Sequence, residues 1–459
     1  MKTQSAAQCA LFPELFDRPL LACFDQVLGS SDGGAVLLKA ADRRLGLIAA
    51  LAGALGDGRQ GGKIRHSLED LFAQRIFALA CGYPDANDAA RLGEDPVHKL
   101  LLGRDPVTGA TLASQPTISR FENGLSSIEL YRLGEVLLDR ILDHHRRRLR
   151  GRARRITLDL DPTDDPTHGA QQLSFFNGHY DTWCYLPVLG FLRFDDEPEQ
   201  YLFTAVLRAG NATPKLGALG ILRRVLTRSR RAFPGVRFLV RLDGGFAGPE
   251  LLAFLDDQPD VDYVVAVAKN SVLARRARRL MGRARRRSRD TRQTAHVYGE
   301  CRYAAHSWSH RRRVIIKAEV VRHPGRDPKD NPRFVITNLT QSPRWIYRHV
   351  YCDRGDIENR IKELQNDLAL GRTSCSRFWA NQLRVLLVAA AYMLFQEIRR
   401  HAAHTDCARA QVATLRDRLL KLGTRVAVST RRLVLHLPAS CPHRTAWRQI
   451  ALALGARAG

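Results

Sequence analysis

The sequence predicts a mixed α/β fold: a sheet-bearing core that follows a helical N-terminal region and is interrupted by a β-rich insertion. Three observations lead there. Residues 1–150 are patterned mainly at helical spacing. From residue 156 the pattern changes to alternation and then runs three strands, helix, strand, helix, strand. After the last of these strands, far more chain than one connection needs precedes the next apolar helix, and it carries strand patterns of its own.

Composition limits the partners. The 459 residues are 45% hydrophobic, enough for a real core. Lys and Arg number 72 against 46 Asp and Glu, a net charge of +26, which points to a polyanion, nucleic acid first. The basic residues are spread along the whole chain, which makes an anionic membrane surface the weaker expectation. No apolar run approaches the ~20 residues of a spanning helix. The N-terminus lacks the layout of a signal peptide. Nine cysteines without a C-x-x-C pair indicate neither a zinc site nor a disulfide framework. A bacterial cytoplasm, close to the nucleoid, is the expected compartment.

In the N-terminal region, Leu68, Leu71, Phe72, Ile76 and Leu79 form a helical stripe. Ser114 is placed to cap a short helix with Pro116 in its first turn. That helix would present Thr117 and Arg120, residue types that read bases and phosphates; a plain connector is the alternative. His144 to Arg155 contains Arg146, Arg147 and Arg148 and no acid. It reads as a solvated linker, also well sited to follow a DNA backbone.

Next, Ile156, Leu158 and Leu160 alternate with Thr157, Asp159 and Asp161, and the strand breaks at Pro162. TWCYLPVLGFLRF and YLFTAVLR read as two strands, Leu216 to Phe233 as a basic helix, and VRFLVRLDGGFAGPELLAFL as strand, turn and helix. Asp243 falls at that strand's carboxyl end, and DYVVAVAK is a further buried strand. This element order is that of a ribonuclease-H-like fold, which would set Asp161 and Asp243 on adjacent strands. Residues 271–345 form the insertion, opening with ARRARRLMGRARRRSR, either a phosphate-binding run or a solvated loop. Trp308 reads as a core residue of the insertion, with stacking on an unpaired base as the alternative. Phe378 to Ile398 is a buried apolar helix, and 401–459 suggests helix, two short strands and a last helix.

Between them, YCDRGDIENRIKELQNDLAL reads as an amphipathic helix. Ile357, Ile361, Leu364 and Leu368 form its apolar stripe, and Arg354, Glu358, Lys362 and Gln365 a polar one beside it. Asp356 or Asp353 would cap its start. An i,i+4 pair of Glu358 with Lys362 is the plain alternative to a functional role.

Tyr351, Arg354 and Glu358 fit Tyr-x2-Arg-x3-Glu, which resembles the third acidic motif of bacterial insertion-sequence transposases. YCDRGDIENRIKEL, with QRIFALACGYPDAND and ASQPTISRFEN upstream, is similar to the 1380 family of insertion sequences, a branch of the DDE transposases. LDLDPTDDPTHGAQ resembles that family's first acidic motif, with Asp161-Pro162-Thr163 fitting Asp-x-Thr better than Asp159 does. LDGGFAGPEL resembles the second. The signature usually ends in a Lys seven residues after the Glu. Here Gln365 stands there, and the nearest lysine is Lys362.

The resemblance implies two-metal phosphoryl transfer on double-stranded DNA. Asp161, Asp243 and Glu358 would ligate two Mg²⁺ or Mn²⁺ ions, with Asp159 as the alternative first ligand. Tyr351, Arg354 and Lys362 or Gln365 would lie along the DNA. A homodimer when DNA is bound follows from the need to hold two ends. The implied organisation is a helical DNA-binding region over 1–150, a catalytic core over 151–270 and 346–400 split by the insertion at 271–345, and a C-terminal α/β region over 401–459. A structure-selective nuclease, or a non-catalytic DNA-binding regulator descended from a transposase, are the rival functions.

Overall fold

The computed structural model describes residues 9–458. Its centre is one large mixed sheet. The strands are β1 (Arg155–Pro162), β2 (Val188–Phe194), β3 (Tyr201–Val206), β4 (Arg237–Leu242), β5 (Val261–Val267), β6 (Ala295–Tyr303), β7 (Arg312–Val321) and β8 (Arg333–Thr337). They lie side by side in the order β6-β7-β8-β5-β4-β1-β2-β3, with the short strand Lys329–Asp330 paired to β7. β1, β4 and β5 are parallel to one another, and every other pairing is antiparallel. β1 and β4 are adjacent, in the register Leu160 opposite Leu242. Both faces of the parallel strands are covered, so β5 reads as a near-continuous apolar run, while β1 keeps its alternation with Thr157 and Asp159 buried as well.

The insertion does not build a sheet of its own. β8 pairs with β5, so β6, β7 and β8 extend the central sheet. The expected strand TWCYLPVLGFLRF is broken at Leu186 and Pro187. Its first part, Thr182–Tyr185, leaves for a small sheet with Asp165–Pro166 and Phe175–Asn177, because proline cannot donate to a ladder.

Helices cover the sheet and form the N-terminal half: α1 (Leu68–Ala80), α2 (Gln115–Gly124), α3 (Ser127–Arg148), α4 (Ala218–Ala232), α5 (Pro249–Asp256), α6 (Ser271–Thr291), α7 (Asp356–Lys362) and α8 (Phe378–His401). α1 and α3 begin in capping boxes on Ser67 and Ser126. The first residues described are not helical: Cys9–Phe12 pairs with Leu20–Cys23 in an exposed hairpin closed by a Cys9–Cys23 disulfide. No sequence spacing announced that pair. α8 is the axis of the molecule, packed against α1, α3 and β3. It is long and apolar enough to cross a membrane, at a mean hydropathy of 1.4, which the expectation of no such run overlooked; 94% of that stretch is buried inside the protein.

The arginine run of the insertion is neither loop nor linker but α6. Leu273, Ala277, Met281, Ala284 and Ser288 recur at steps of four, four, three and four and are buried against β6 and β7. Gly299 of β6 lets Leu280 sit close, since a Cβ there would meet Leu280 Cδ1 at 2.5 Å. Trp308 is 9% exposed, edge-on to Tyr303 and beside the Arg312 guanidinium. It is a core tryptophan and offers no face to a base.

Candidate active site

Asp161 is the penultimate residue of β1, and Asp243 is one residue beyond the last registered pair of the neighbouring strand, so parallel pairing brings the two carboxylates to the same carboxyl end of the sheet. The Gly-Gly after Asp243 is a packing requirement at Gly245, where a Cβ would lie 2.7 Å from Pro214. The Asp243 side chain accepts a hydrogen bond from the Gly245 amide at 3.0 Å, which fixes its direction.

Glu358 comes from the helical run 343–367, not from a helix capped by Asp353 or Asp356. Ser342 caps the run through the Trp345 amide, well upstream. The run is irregular: it widens to π-helical turns at Tyr347–Tyr351 and Glu363–Asp367, on both sides of α7. Such turns concentrate at functional sites because they re-aim side chains within a continuous helix. The apolar stripe docks as its spacing requires, with Ile357, Ile361, Leu364 and Leu368 all buried. Behind it a buried network clamps the run to α8. Glu363 accepts from Arg399 Nη2 and from the Tyr392 hydroxyl, both at 2.6 Å.

With those elements fixed, Arg354 Nη1 donates to Asp161 Oδ2 at 3.1 Å, and Arg354 Nη2 lies 4.0 Å from Glu358 Oε1. Glu358 is therefore next to Arg354, not paired to Lys362. Burial pushes the Asp161 carboxyl up to about 6; Arg354 pulls it down, and Asp243 and Glu358 push it up further. Asp161 and Glu358 share one guanidinium, and Asp243 lies close enough for its charge to act on both Asp161 and Arg354, a local excess of negative charge. The site is not contracted: no group of three oxygen atoms within 4.8 Å of one another forms here.

Asp159 is different. Arg241, its cross-strand partner, grips it through Nε and Nη2, each at 2.7 Å, and Gln200 Nε2 adds a third bond at 2.9 Å. Both charged side chains are 1% exposed. Arg241 also donates to the Val350 carbonyl at 3.2 Å, tying the helical run that carries Glu358 to the sheet. All of this lies one layer below Asp161.

Gln365 turns inward. Its Nε2 donates to Thr163 Oγ1 at 2.7 Å and to the Asp164 carbonyl at 3.2 Å, so it holds the segment just after Asp161. Lys362 is exposed, and no ion-pair partner for it occurs among the described residues. Tyr351 is half-buried, its hydroxyl raised by burial, with Arg354 opposing and Asp243 adding to the shift. Sequence reasoning missed Tyr180, at the tip of the small hairpin. Its hydroxyl is pushed up to about 12 by burial first, then by Asp164, Asp161 and Asp243. Only the fold brings it to these carboxylates. On the same hairpin Phe176 and Trp183 are cross-strand partners, 50% and 58% exposed.

The other expected DNA contacts lie apart. α2 begins after Ser114 as expected, although the Ser114 hydroxyl pairs with the Thr117 hydroxyl and caps no amide; the helix is buried through Ile118 and Phe121, with the Phe121 ring 5.0 Å from Phe72. Thr117 and Arg120 line an open cleft of about 1120 Å³ that the loop carrying Arg59, Lys63 and Arg65 completes. Arg146, Arg147 and Arg148 form the last turn of α3, where cations offset the helix dipole. Arg148 is committed to Glu197 at 2.6 Å, while Arg146 and Arg147 are exposed.

The donor set at Asp161, Asp243 and Glu358 suits hard cations: oxygens only, more negative charge than Arg354 neutralises, and one carboxyl raised by burial and, beyond that, by the other two carboxylates. Two other groups bring three ligand-type atoms within 4.8 Å: Asp32, Cys81 and His98, and Asp406, Cys407 and His443. In the first, the Lys421 ammonium at 2.8 Å from Asp32 already supplies the cation. The second is a surface group whose Asp406 is bonded to His443 at 2.9 Å.

Comparison with known proteins adds the following. The sequence model of the group 1 transposase DDE domain matches residues 12–457. No curated protein matches the chain. Among solved structures, a piggyBac transposase synaptic complex with hairpin DNA is similar at 9% identity and a TM-score of 0.42, covering 89% of this chain and 81% of that one.

Proposed function

Because this chain belongs to the family of group 1 transposase DDE domains, we propose that it is a transposase of the 1380 type. In this reading it binds the terminal inverted repeats of its own insertion sequence, cuts at their ends and joins the freed ends to target DNA. Its sheet order, β3-β2-β1-β4-β5 with β1, β4 and β5 parallel, supports a ribonuclease-H-like reading of the core. The observation that carries the function is the convergence of Asp161 and Glu358 on the single Arg354, with Asp243 brought beside Asp161 by two neighbouring parallel strands and Glu358 by a clamped helix.

Asp161, Asp243 and Glu358 would hold two Mg²⁺ or Mn²⁺ ions. When bound, these supply activation of the attacking oxygen and stabilisation of the leaving one at phosphorus. The chain's own groups do the rest. Arg354, oriented by Asp161, presents its remaining N–H groups to the scissile phosphate. Tyr180 keeps its proton at neutral pH and so acts as a hydrogen-bond donor, not as a base. Gln365 keeps Thr163, and through it the end of β1, in place. Water attacks phosphorus and the 3′ oxygen leaves with a proton. That 3′ hydroxyl then attacks a phosphodiester of the target and loses its proton, the target's own 3′ oxygen leaving protonated as the P–O bond to it breaks. Two ends must be held at once, which is the reason to expect a homodimer on DNA.

The test uses purified full-length protein, inverted-repeat DNA and Mg²⁺. Asp161→Asn, Asp243→Asn and Glu358→Gln should each lower strand cleavage by about a thousandfold or more, since several kcal/mol of charge stabilisation are removed. Folding and repeat binding should be preserved. Full cleavage by any one of the three would sink the assignment of that residue; cleavage by all three would sink the reading.

A further inference from the structure

We propose that the outer face of α6 is a second DNA-binding surface, which grips the phosphate backbone of duplex DNA away from the scissile phosphate. The inference rests on the transposase reading above and extends it to a part of the chain that the cutting chemistry does not use.

α6 carries nine arginines, all exposed, and one acid, Asp290. Among the described residues only Arg285 is neutralised, by Asp330. The buried stripe that seats the helix leaves a basic opposite side, with the one acid, Asp290, at its C-terminal end. Arg275, Arg279, Arg283 and Arg286 recur there at steps of four, four and three, forming one line about 16 Å long at 1.5 Å per residue. Like charges three and four apart repel, and among the described residues none of these four arginines forms an ion pair. A duplex presents one negative charge per about 1.7 Å of axis, a matching row of opposite sign. The chemistry also selects against a membrane. A helix lying on lipid needs an apolar face, and the apolar residues of α6 are spent on β6 and β7.

Position separates this surface from the cutting site. β7, under α6, is four strands from β1, roughly 19 Å at about 4.8 Å per strand. The arginines therefore cannot reach the phosphate held at Asp161. They are placed to hold DNA that extends beyond it. Contacts of this kind carry no sequence information, so they should act equally on repeat DNA and on unrelated duplex.

The experiment compares the wild type with a full-length variant carrying Arg275→Gln, Arg279→Gln, Arg283→Gln and Arg286→Gln, and with the corresponding four Arg→Lys changes. Affinity for a 40-base-pair inverted-repeat duplex and for an unrelated duplex is measured across a salt series. The Gln variant should show a log–log salt slope shallower by about 3.6, from about 0.9 per contact, on both duplexes. The Lys variant should keep the wild-type slope. As a measurement independent of any variant, amide exchange across 271–291 in the wild type should slow when unrelated duplex is added. A steep wild-type slope that the Gln variant retains, or no change in exchange on DNA, overturns this inference and leaves the transposase reading standing. A wild type with a flat slope and no DNA affinity overturns both.

Discussion

Asp159 and Asp161 stand two residues apart on β1, and the difference between their surroundings separates support from chemistry. Asp159 has an arginine of its own, a glutamine besides, and no access to solvent. Asp161 shares Arg354 with Glu358, and its proton affinity is raised by burial first and then by the nearby charges of Asp243 and Glu358, against the pull of Arg354. A carboxylate whose charge is fully matched locally can hold strands together, and a cation would gain little there. A cluster whose charge is not matched is costly alone and lowers its energy when cations arrive. Asp165, a few residues on, completes the series with no arginine: one oxygen accepts from Thr373 at 2.9 Å, and Oδ1 has no partner.

The comparison can be broken most forcefully at its lower layer. Asp159→Asn would leave Arg241 buried beside a neutral amide and should lower the unfolding free energy by about 3–5 kcal/mol, read by chemical denaturation. Whatever remains folded should still cut DNA, with an unchanged dependence on Mg²⁺ concentration. A folded Asp159→Asn protein that has lost cleavage would transfer the role assigned to Asp161.

The second prediction turns on pH. Burial raises the Asp165 carboxyl to about 7, Thr373 opposes, and Asp164 adds to the rise. The folded state then binds this proton more tightly than the unfolded chain does. The associated stability is full below about pH 4 and is lost as pH rises through about 7. Asp165→Asn does not ionise, so at pH 8 it should be more stable than the wild type by up to about 4 kcal/mol, at 1.36 kcal/mol per unit. The two proteins should converge near pH 4. Parallel stability curves across that range would show that Asp165 does not carry the shift.

The smallest expected effect separates Gln365 from Lys362. Gln365 holds Thr163 and the Asp164 carbonyl, so Gln365→Ala should reduce cleavage by about ten- to a hundredfold, as loss of support behind a ligand does. Lys362→Ala should leave cleavage of bound DNA nearly intact and make the salt slope shallower by about one contact. The reverse order of effects would mean that Lys362 performs the task at the phosphate.

Much of this arrangement was legible because it depends on short-range pattern. The alternation in β1, the Gly-Gly after Asp243 and the stripe through Ile357 and Leu368 each restrict a few neighbouring residues, and each is realised. What was not legible depends on partners distant in sequence. Nothing near Asp159 announces that Arg241 will neutralise it, and nothing near Tyr180 places it beside Asp161. The inward turn of Gln365 reads as a surface position until the π-helical turn is known. The arginine run misled for another reason. Its charge reads as solvated chain, yet a five-residue stripe hidden among the arginines is enough to seat a helix.

The central place of α8 has a consequence for synthesis. The N-terminal helices bury their apolar sides against residues that the ribosome adds about three hundred positions later. Until Phe378–His401 emerges, those helices have no complete partner, and a chain stopped short of it exposes apolar surface in place of a folded unit. Truncated products of an interrupted reading frame would be cleared or would aggregate.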